Sequence, residues 1–299
     1  MASAGAVLRG LQSSVRPIWH QYQSTRGMAT LKELSIRIKS VTNIEKITKS
    51  MKMVSAAKYQ MAERQLKPAR AYGEGAQALY DKAEVIDEER KPKHLIIAVT
   101  SDRGLCGGIH SNVARNIRAT LLATQDRSNT MVVCVGDKTR SIIQRFFREN
   151  LLLHFTDVGK KPPVFEEAMF VAQNILDSGF EYDSAEIVYN RFKNVISYDT
   201  LNKFLIPFDK LAQSEKMLVY DDVDEDVLLC YHEMTLANLI FHTLKEGACS
   251  EQSSRMTAMD GASKNAGDMI SKLTLTYNRT RQAVITRELI EIISGAAAV

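Results

Sequence analysis

The sequence predicts an α/β protein with a long coiled coil, in which antiparallel N- and C-terminal helices flank a doubly wound, Rossmann-like domain. Prolines are absent from residues 18–67 and 208–299. Because a proline costs about 3 kcal/mol inside a helix, long helices can run through these two stretches. Apolar residues recur every three or four positions in both of them, as in a coiled coil. Between them, short apolar runs alternate with helical patterns, which is typical of a parallel sheet.

The composition excludes several classes of protein. The chain has 299 residues, of which 45% are hydrophobic and 25% charged, a globular balance rather than a disordered or collagen-like one. No stretch holds the roughly 18 uninterrupted apolar residues of a membrane-spanning helix. The net charge of +4 is too small to indicate nucleic-acid binding. The four cysteines are Cys106, Cys134, Cys230 and Cys249. Their spacing matches neither a zinc site nor a disulfide framework, and such scattered thiols are typical of a protein in a reducing compartment.

The first 28 residues differ from the rest of the chain. They contain Arg9, Arg16 and Arg26, several serines and no acidic residue. This composition, with apolar residues at helical spacing beside the arginines, predicts a mitochondrial transit peptide over residues 1–28. A disordered N-terminal arm is the alternative interpretation.

The next segment, residues 29–90, is predicted to hold the N-terminal coiled-coil helix and a linker. Thr30 and Glu33 have the spacing of a capping box, which predicts that the helix begins there. The helix is expected to run from 31 to about 67, where Pro68 ends or kinks it. The predicted apolar seam comprises residues 31, 34, 38 and 41, and then residues 44, 47, 51, 54 and 61. Residues 30–67 contain nine Lys and Arg but only three Glu. This excess of positive charge indicates either a solvated face or a surface that binds an acidic partner.

Residues 91–220 are predicted to form the Rossmann-like domain. Apolar runs of buried-strand length lie at residues 94–100, 131–135, 151–155 and 185–190. Helical patterns separate them near residues 110–124, 138–148 and 165–178. This alternation predicts a mostly parallel, doubly wound sheet of undetermined strand order, with an edge strand and linker over residues 201–220.

The last segment, residues 221–299, is predicted to form one helix of more than about 70 residues, or about 105 Å. It is expected to begin after the acidic run 221–226, since acidic residues stabilise a helix N-terminus. Its seam alternates steps of three and four over residues 256, 259, 263, 266, 270, 273, 277, 280 and 284. The first helix spans only about 55 Å, so the longer one must extend beyond their pairing. Since residues 289–299 are apolar apart from Glu291 and Ser294, this end must fold back or be enclosed by another protein.

The loop between Thr100 and Ile109 is the strongest candidate for chemistry. It follows the first predicted strand and opens a helix, where a phosphate-binding loop lies in doubly wound domains. Its glycines match neither dinucleotide nor P-loop spacing, so a tight strand-to-helix turn is the preferred interpretation. Cys106 at this position is a weak candidate nucleophile.

Three stretches carry a resemblance to a known family. They are Ile47–Lys58 (ITKSMKMVSAAK), Thr100–Gly107 (TSDRGLCG) and Arg281–Ala296 (RQAVITRELIEIISGA). In this order, together with the long helices, they resemble the gamma subunits of F-type ATP synthases. The resemblance spans residues 29–299.

The resemblance implies a non-catalytic central-stalk rotor that transmits torque between a membrane ring and a catalytic head to drive ATP synthesis. It implies as partners three alpha and three beta subunits, the delta and epsilon stalk subunits and the membrane c-ring. It implies no cofactor, metal or nucleic acid. The expected location is the matrix side of the mitochondrial inner membrane, peripheral and without a transmembrane segment.

The family pattern also implies contact residues. The positions that match beta-subunit contacts are Lys49, Met51, Lys52, Arg281 and Gln282. The apolar tip that the head would enclose includes Leu289, Ile292, Ile293, Gly295 and Val299. Two alternatives stay open, a nucleotide-binding α/β enzyme that uses the 101–108 loop and a generic coiled-coil scaffold.

Overall fold

The computed structural model describes residues 30–82, 93–124, 127–158, 160–205 and 224–297. The predicted transit peptide, the predicted linker beyond residue 205 and Val299 lie outside these residues. Of the described residues, 30–40 and 270–297 belong to a first compact unit, and those between 41 and 269 to a second.

Helices and strands follow the predicted order. The helices are α1 (Leu31–Gly75), α2 (Ala78–Lys82), α3 (Ile109–Ala123), α4 (Asp137–Ile143), α5 (Phe165–Leu176) and α6 (Glu225–Ala297), with a 3₁₀ turn at Arg127–Asn129. The strands are β1 (His94–Val99), β2 (Thr130–Val135), β3 (Leu151–Phe155), β4 (Ser184–Phe192) and β5 (Tyr198–Leu205). Helix α4 ends at Ile143, before the predicted end at residue 148. The chain tightens into a turn there, in which the Phe146 amide donates to the Ile143 carbonyl at 3.0 Å.

The five strands form one sheet in the order β3-β2-β1-β4-β5. Strands β1 to β4 are parallel, and β5 pairs with β4 in the antiparallel direction at the edge. In the centre, Ile97 lies opposite Val133 and Ile187. This arrangement confirms the predicted doubly wound sheet and its edge strand.

The sheet is covered on both faces, so its central strands are buried throughout. Alternate residues of β1 pack on α3 and α4, in a cluster that includes Ile96, Ala98, Val113, Ile117 and Ile143. The other face packs on α5 and on α6, in a cluster that includes Leu95, Ile97, Val171, Leu236 and Ile240. Helix α6 therefore supplies part of the domain core and is also one of the two helices of the coiled coil.

Helix α1 begins as predicted but ends later. The Thr30 amide donates to Glu33 Oε2 at 2.9 Å, and the Glu33 amide donates to Thr30 Oγ1 at 3.3 Å, which confirms the capping box. Of the two predicted effects of Pro68, an end of the helix is wrong, since α1 continues to Gly75. Packing outweighs the lost hydrogen bond, because Ala69 is buried and Arg70 pairs with Glu246 of α6 at 2.6 Å.

The two long helices are antiparallel within the second unit. Lys52 pairs with Asp260 at 2.6 Å, Gln65 accepts from Lys245 at 3.0 Å, and Arg70 pairs with Glu246. The partner numbers on α6 fall as the numbers on α1 rise. This confirms the antiparallel coiled coil.

The predicted seam of α6 is confirmed by burial. Met259 and Ala266 are buried. From residue 271 to 297, every described residue is exposed except Leu273, Tyr277, Thr280 and Val284, which are half-buried. These are the predicted seam positions, so the heptad pattern alone locates this face of the helix.

The predicted seam of α1 is confirmed only up to Val41. Beyond it, Thr48, Ser55 and Tyr59 are buried, and they continue the steps of three and four without a change of phase. The predicted step at 41–44 is therefore wrong. Thr48 and Ser55 are short enough to face α6 in the seam. The Thr48 hydroxyl donates to the Glu45 carbonyl at 2.9 Å, so its polar group is satisfied within α1.

Candidate partner-binding surfaces

The apolar residues displaced from the α1 seam form a second row on the same helix. Ile44, Ile47, Val54 and Met61 are 49–58% exposed, and Met51 between them is half-buried. Their steps of three, four, three and seven keep them on one face. This apolar stripe is a surface on which another protein can dock, since helices present such rows to partners.

Lysines surround the apolar stripe. Lys46, Lys49 and Lys58 are exposed, and within the described part of the chain Lys49 has no acidic partner. Lys52, predicted to contact a partner, is engaged inside the chain by Asp260. Basic side chains beside an apolar stripe favour an acidic partner surface.

Asp260 is bound by two lysines. One carboxylate oxygen pairs with Lys52, and the other lies 2.8 Å from Lys264. The hydrogen bonds from Lys264 and from Lys52, in that order of effect, lower the pKa of Asp260 to about 2. The carboxylate therefore stays ionised at neutral pH. Lys52 thus joins α1 to α6 at the edge of the apolar stripe.

The end of α6 is a second exposed apolar surface, in the first unit. We call residues 285–297 the α6 tip. All of them are exposed, and the large apolar ones are 48–67% exposed, namely Ile285, Leu289, Ile290, Ile292 and Ile293. The described part of the chain does not cover this segment, so the alternative that it folds back is wrong for residues 285–297.

The predicted site residues fall into two groups. Lys49, Met51 and Lys52 lie within one turn of α1, in the second unit, while Arg281 and Gln282 are exposed on α6 one turn before the tip, in the first. Gly295 has open space where a side chain would be, and Val299 lies outside the described residues.

Sequence reasoning missed the apolar stripe as a surface, because it assigned the same residues to the seam. The signal that could have found it is the heptad continuing from Val41 through Thr48 and Ser55.

The glycine loop is a tight turn packed against α6. Leu105 and Gly107 have φ angles of +62° and +66°, and the Ser254 hydroxyl donates to the Cys106 carbonyl at 2.5 Å. The Asp102 carboxylate accepts the amides of Asp137 and Asp157, both at 2.7 Å. These bonds place an acidic group where a phosphate-binding loop offers backbone amides, which favours the turn interpretation over a nucleotide loop.

Cys106 does not fit the role of a nucleophile. It is 2% exposed, and burial raises the pKa of its thiol to about 11. The reactive species is the thiolate, which this environment disfavours.

A buried polar chain in the sheet has the residue types of a hydrolase triad. His94 Nδ1 lies 2.7 Å from Ser184 Oγ, and His94 Nε2 lies 3.3 Å from Glu186 Oε1. All three residues are at most 3% exposed, so no substrate reaches the hydroxyl.

The described residues provide neither a metal centre nor a membrane-spanning helix. Among them no three His, Cys, Asp or Glu side chains converge as metal ligands do. None of the described helices combines the length and apolar content that crossing a bilayer requires.

Comparison with known proteins identifies the family. A family model described as ATP synthase matches residues 30–299. The gamma subunit of mitochondrial ATP synthase from Drosophila melanogaster is 61% identical over 92% of this chain and 93% of its own length. The corresponding subunit of the F(1) complex from Rattus norvegicus is 58% identical over 90% of this chain and 99% of its own.

Solved structures agree with this assignment. The central stalk and c-ring structure of the Tetrahymena thermophila mitochondrial ATP synthase contains a chain that matches 73% of this one and 99% of itself, with 28% identity and a TM-score of 0.64. A chain of the Euglena gracilis enzyme has the same fold, with a TM-score of 0.77 over 90% of this chain and 94% of its own, at 20% identity. The chain therefore belongs to the ATP synthase family and, within it, to the mitochondrial gamma subunits.

Proposed function

We propose that this chain is the non-catalytic rotor of the central stalk, which carries torque between a proton-driven membrane ring and the catalytic head of an ATP synthase. Its gamma-subunit relatives support the assignment, as does the likeness to a central stalk solved with its c-ring. The proposed partners are three alpha and three beta subunits, the delta and epsilon subunits and the c-ring. The proposed location is the matrix side of the mitochondrial inner membrane, to which the chain binds peripherally.

The observation that carries this proposal is the exposed α6 tip. Thirteen consecutive helical residues, 285–297, leave Leu289, Ile292 and Ile293 open to solvent. An isoleucine gains about 1.5–3 kcal/mol when it is buried, so enclosure of this segment by the alpha and beta subunits would stabilise the complex. In this role the tip turns inside an apolar sleeve.

The two surfaces have different roles in the proposal. The tip, with Arg281 and Gln282 one turn before it, is the bearing. The apolar stripe, with Met51 and Lys49, receives force from an acidic segment of a beta subunit. No bond is made or broken by this chain, because the work of a shaft requires shape and contact only.

Charge at the tip tests the proposal. In the double variant Ile292→Lys and Ile293→Lys, two charges would have to enter the sleeve, so co-purification of the chain with alpha and beta subunits should fall at least about tenfold. Leu275→Lys is the matched control, since Leu275 is 71% exposed on the same helix before the tip. Undiminished assembly of the double variant would contradict the bearing role.

A further inference from the structure

A cleft of about 600 Å³ opens at the carboxyl edge of the sheet, inside the second unit. Its walls are α1, α6 and the segments that follow β1 and β3. The segments after β1 and β3 that line it place the cleft on the β2–β3 side of β1. Doubly wound domains bind ligands outside the carboxyl ends of their strands, and the volume falls in the range of small-molecule sites.

Cationic side chains come from every wall of the cleft. They are Lys58 of α1, Arg103 after β1, Lys160 and Lys161 after β3, and Lys245 of α6. Five cations around one concave space attract an anion, since low-dielectric walls strengthen their common field.

The acidic residues of the cleft neutralise only part of this positive charge. Asp102 accepts two backbone amides, Asp157 pairs with Lys160 at 3.3 Å, and Glu251 pairs with Arg255. Across the described ranges, Lys58, Arg103 and Lys161 have no acidic partner. The cleft therefore keeps a positive surplus.

Most of the remaining lining is apolar. The apolar side chains are Met61, Ala62, Val158, Pro162, Pro163 and Ala248. The uncharged polar residues of the lining are Gln65, Ser101 and Gln252. Apolar side chains beside cations suit a ligand that has both an anionic group and an apolar part.

We propose that this cleft binds a small organic phosphate. Its phosphate groups pair with Lys58, Arg103 and Lys161, and its apolar part lies on the methionine and proline wall. The cleft shares Ser101, Asp102 and Arg103 with the start of the glycine loop, whereas residues 104–108 do not line it. A cleft enclosed by four walls suits a compact ligand better than an extended acidic peptide.

Calorimetric titration of the full chain with ADP tests the proposal, with adenosine and pyrophosphate as comparison ligands. ADP carries both a diphosphate and a flat base, so it should bind saturably and more tightly than either comparison ligand. The double variant Lys58→Glu and Lys161→Glu should weaken ADP binding by about tenfold or more. Lys67→Glu, an exposed lysine of α1 outside the cleft, should leave it unchanged.

A footprint on the wild-type chain checks the location without any variant. ADP should protect Lys58 and Lys161, but not Lys67, from an amine-reactive reagent. Absence of saturable ADP binding, equal losses in the Lys67 control, or protection by a glutamate-rich peptide but not by ADP would overturn the proposal.

Discussion

Gly73 lies directly against the His242 ring of α6. A Cβ at this position would lie 2.4 Å from the ring Cγ and 2.7 Å from Nδ1. The ring cannot easily move, because its Nδ1 lies 3.2 Å from the Ala69 carbonyl and the side chain is buried. The absence of one side chain therefore allows the last turns of α1 to pack on α6 beyond Pro68.

Gly73→Ala should lower the free energy of unfolding by about 1–3 kcal/mol, through overpacking. Gly75→Ala is the control two residues away, since no atom lies within 4 Å of the position that its Cβ would take, and it should change stability by less than about 1 kcal/mol. Urea denaturation of the full chain measures both. Equal effects of the two substitutions would contradict the packing described here.

The four thiols differ in accessibility. Cys106, Cys134 and Cys249 are at most 2% exposed, and burial raises the pKa of these thiols to about 11, about 12 and about 12. Cys230 is exposed on α6. Reactivity should follow exposure and thiolate content.

A colorimetric disulfide reagent at pH 8 should therefore modify one thiol per folded chain rapidly, and the remaining three only after denaturation. Cys230→Ser should abolish the rapid phase. A rapid phase that survives this substitution would show that a buried thiol is accessible.

Helix α1 shows what can and cannot be read from hydrophobic spacing. The strands of the sheet and the α6 seam could be predicted because each has a single apolar pattern. In α1, both the seam and the apolar stripe satisfy helical spacing, and hydrophobicity favours Ile44 and Ile47 over Thr48 for burial. Only the position of α6 decides which face is inside. The basic cleft could not be predicted, because its cations lie far apart in the chain.

Ile47→Lys should leave the fold unchanged, since Ile47 is 58% exposed, yet weaken assembly with alpha and beta subunits about tenfold or more. Met53→Lys is the matched control, because Met53 is 65% exposed on α1 outside the apolar stripe. Thermal unfolding and co-purification together separate the two effects. Equal assembly of both variants would argue against docking on the stripe.

Helix α6 contributes to both compact units. Residues 236–244 complete one face of the sheet core, and residues 285–297 form the exposed tip. One continuous helix of 73 residues thus carries both part of the domain core and the surface that the proposed function uses. Because the two stretches share no residue, substitutions in the sheet core should affect folding and substitutions at the tip should affect assembly.

Acidification should destabilise the second unit through its buried histidines. Burial lowers the pKa of His110 and His242, so the unfolded chain binds more protons than the folded one as pH falls through about 6.5. Stability contributed by the neutral rings is present above that pH and is lost below it. The urea midpoint should be lower at pH 5.5 than at pH 7.5, and an unchanged or higher midpoint would contradict this assignment.

A reversible disulfide tests the rotor role most directly. Ile292→Cys, in a Cys230→Ser background, is assembled with a beta subunit that carries a cysteine in the segment proposed to enclose the tip. Oxidation should stop ATP hydrolysis by the complex, and a reductant should restore it, because a shaft bonded to its bearing cannot turn. Undiminished hydrolysis by the fully cross-linked complex would contradict the account.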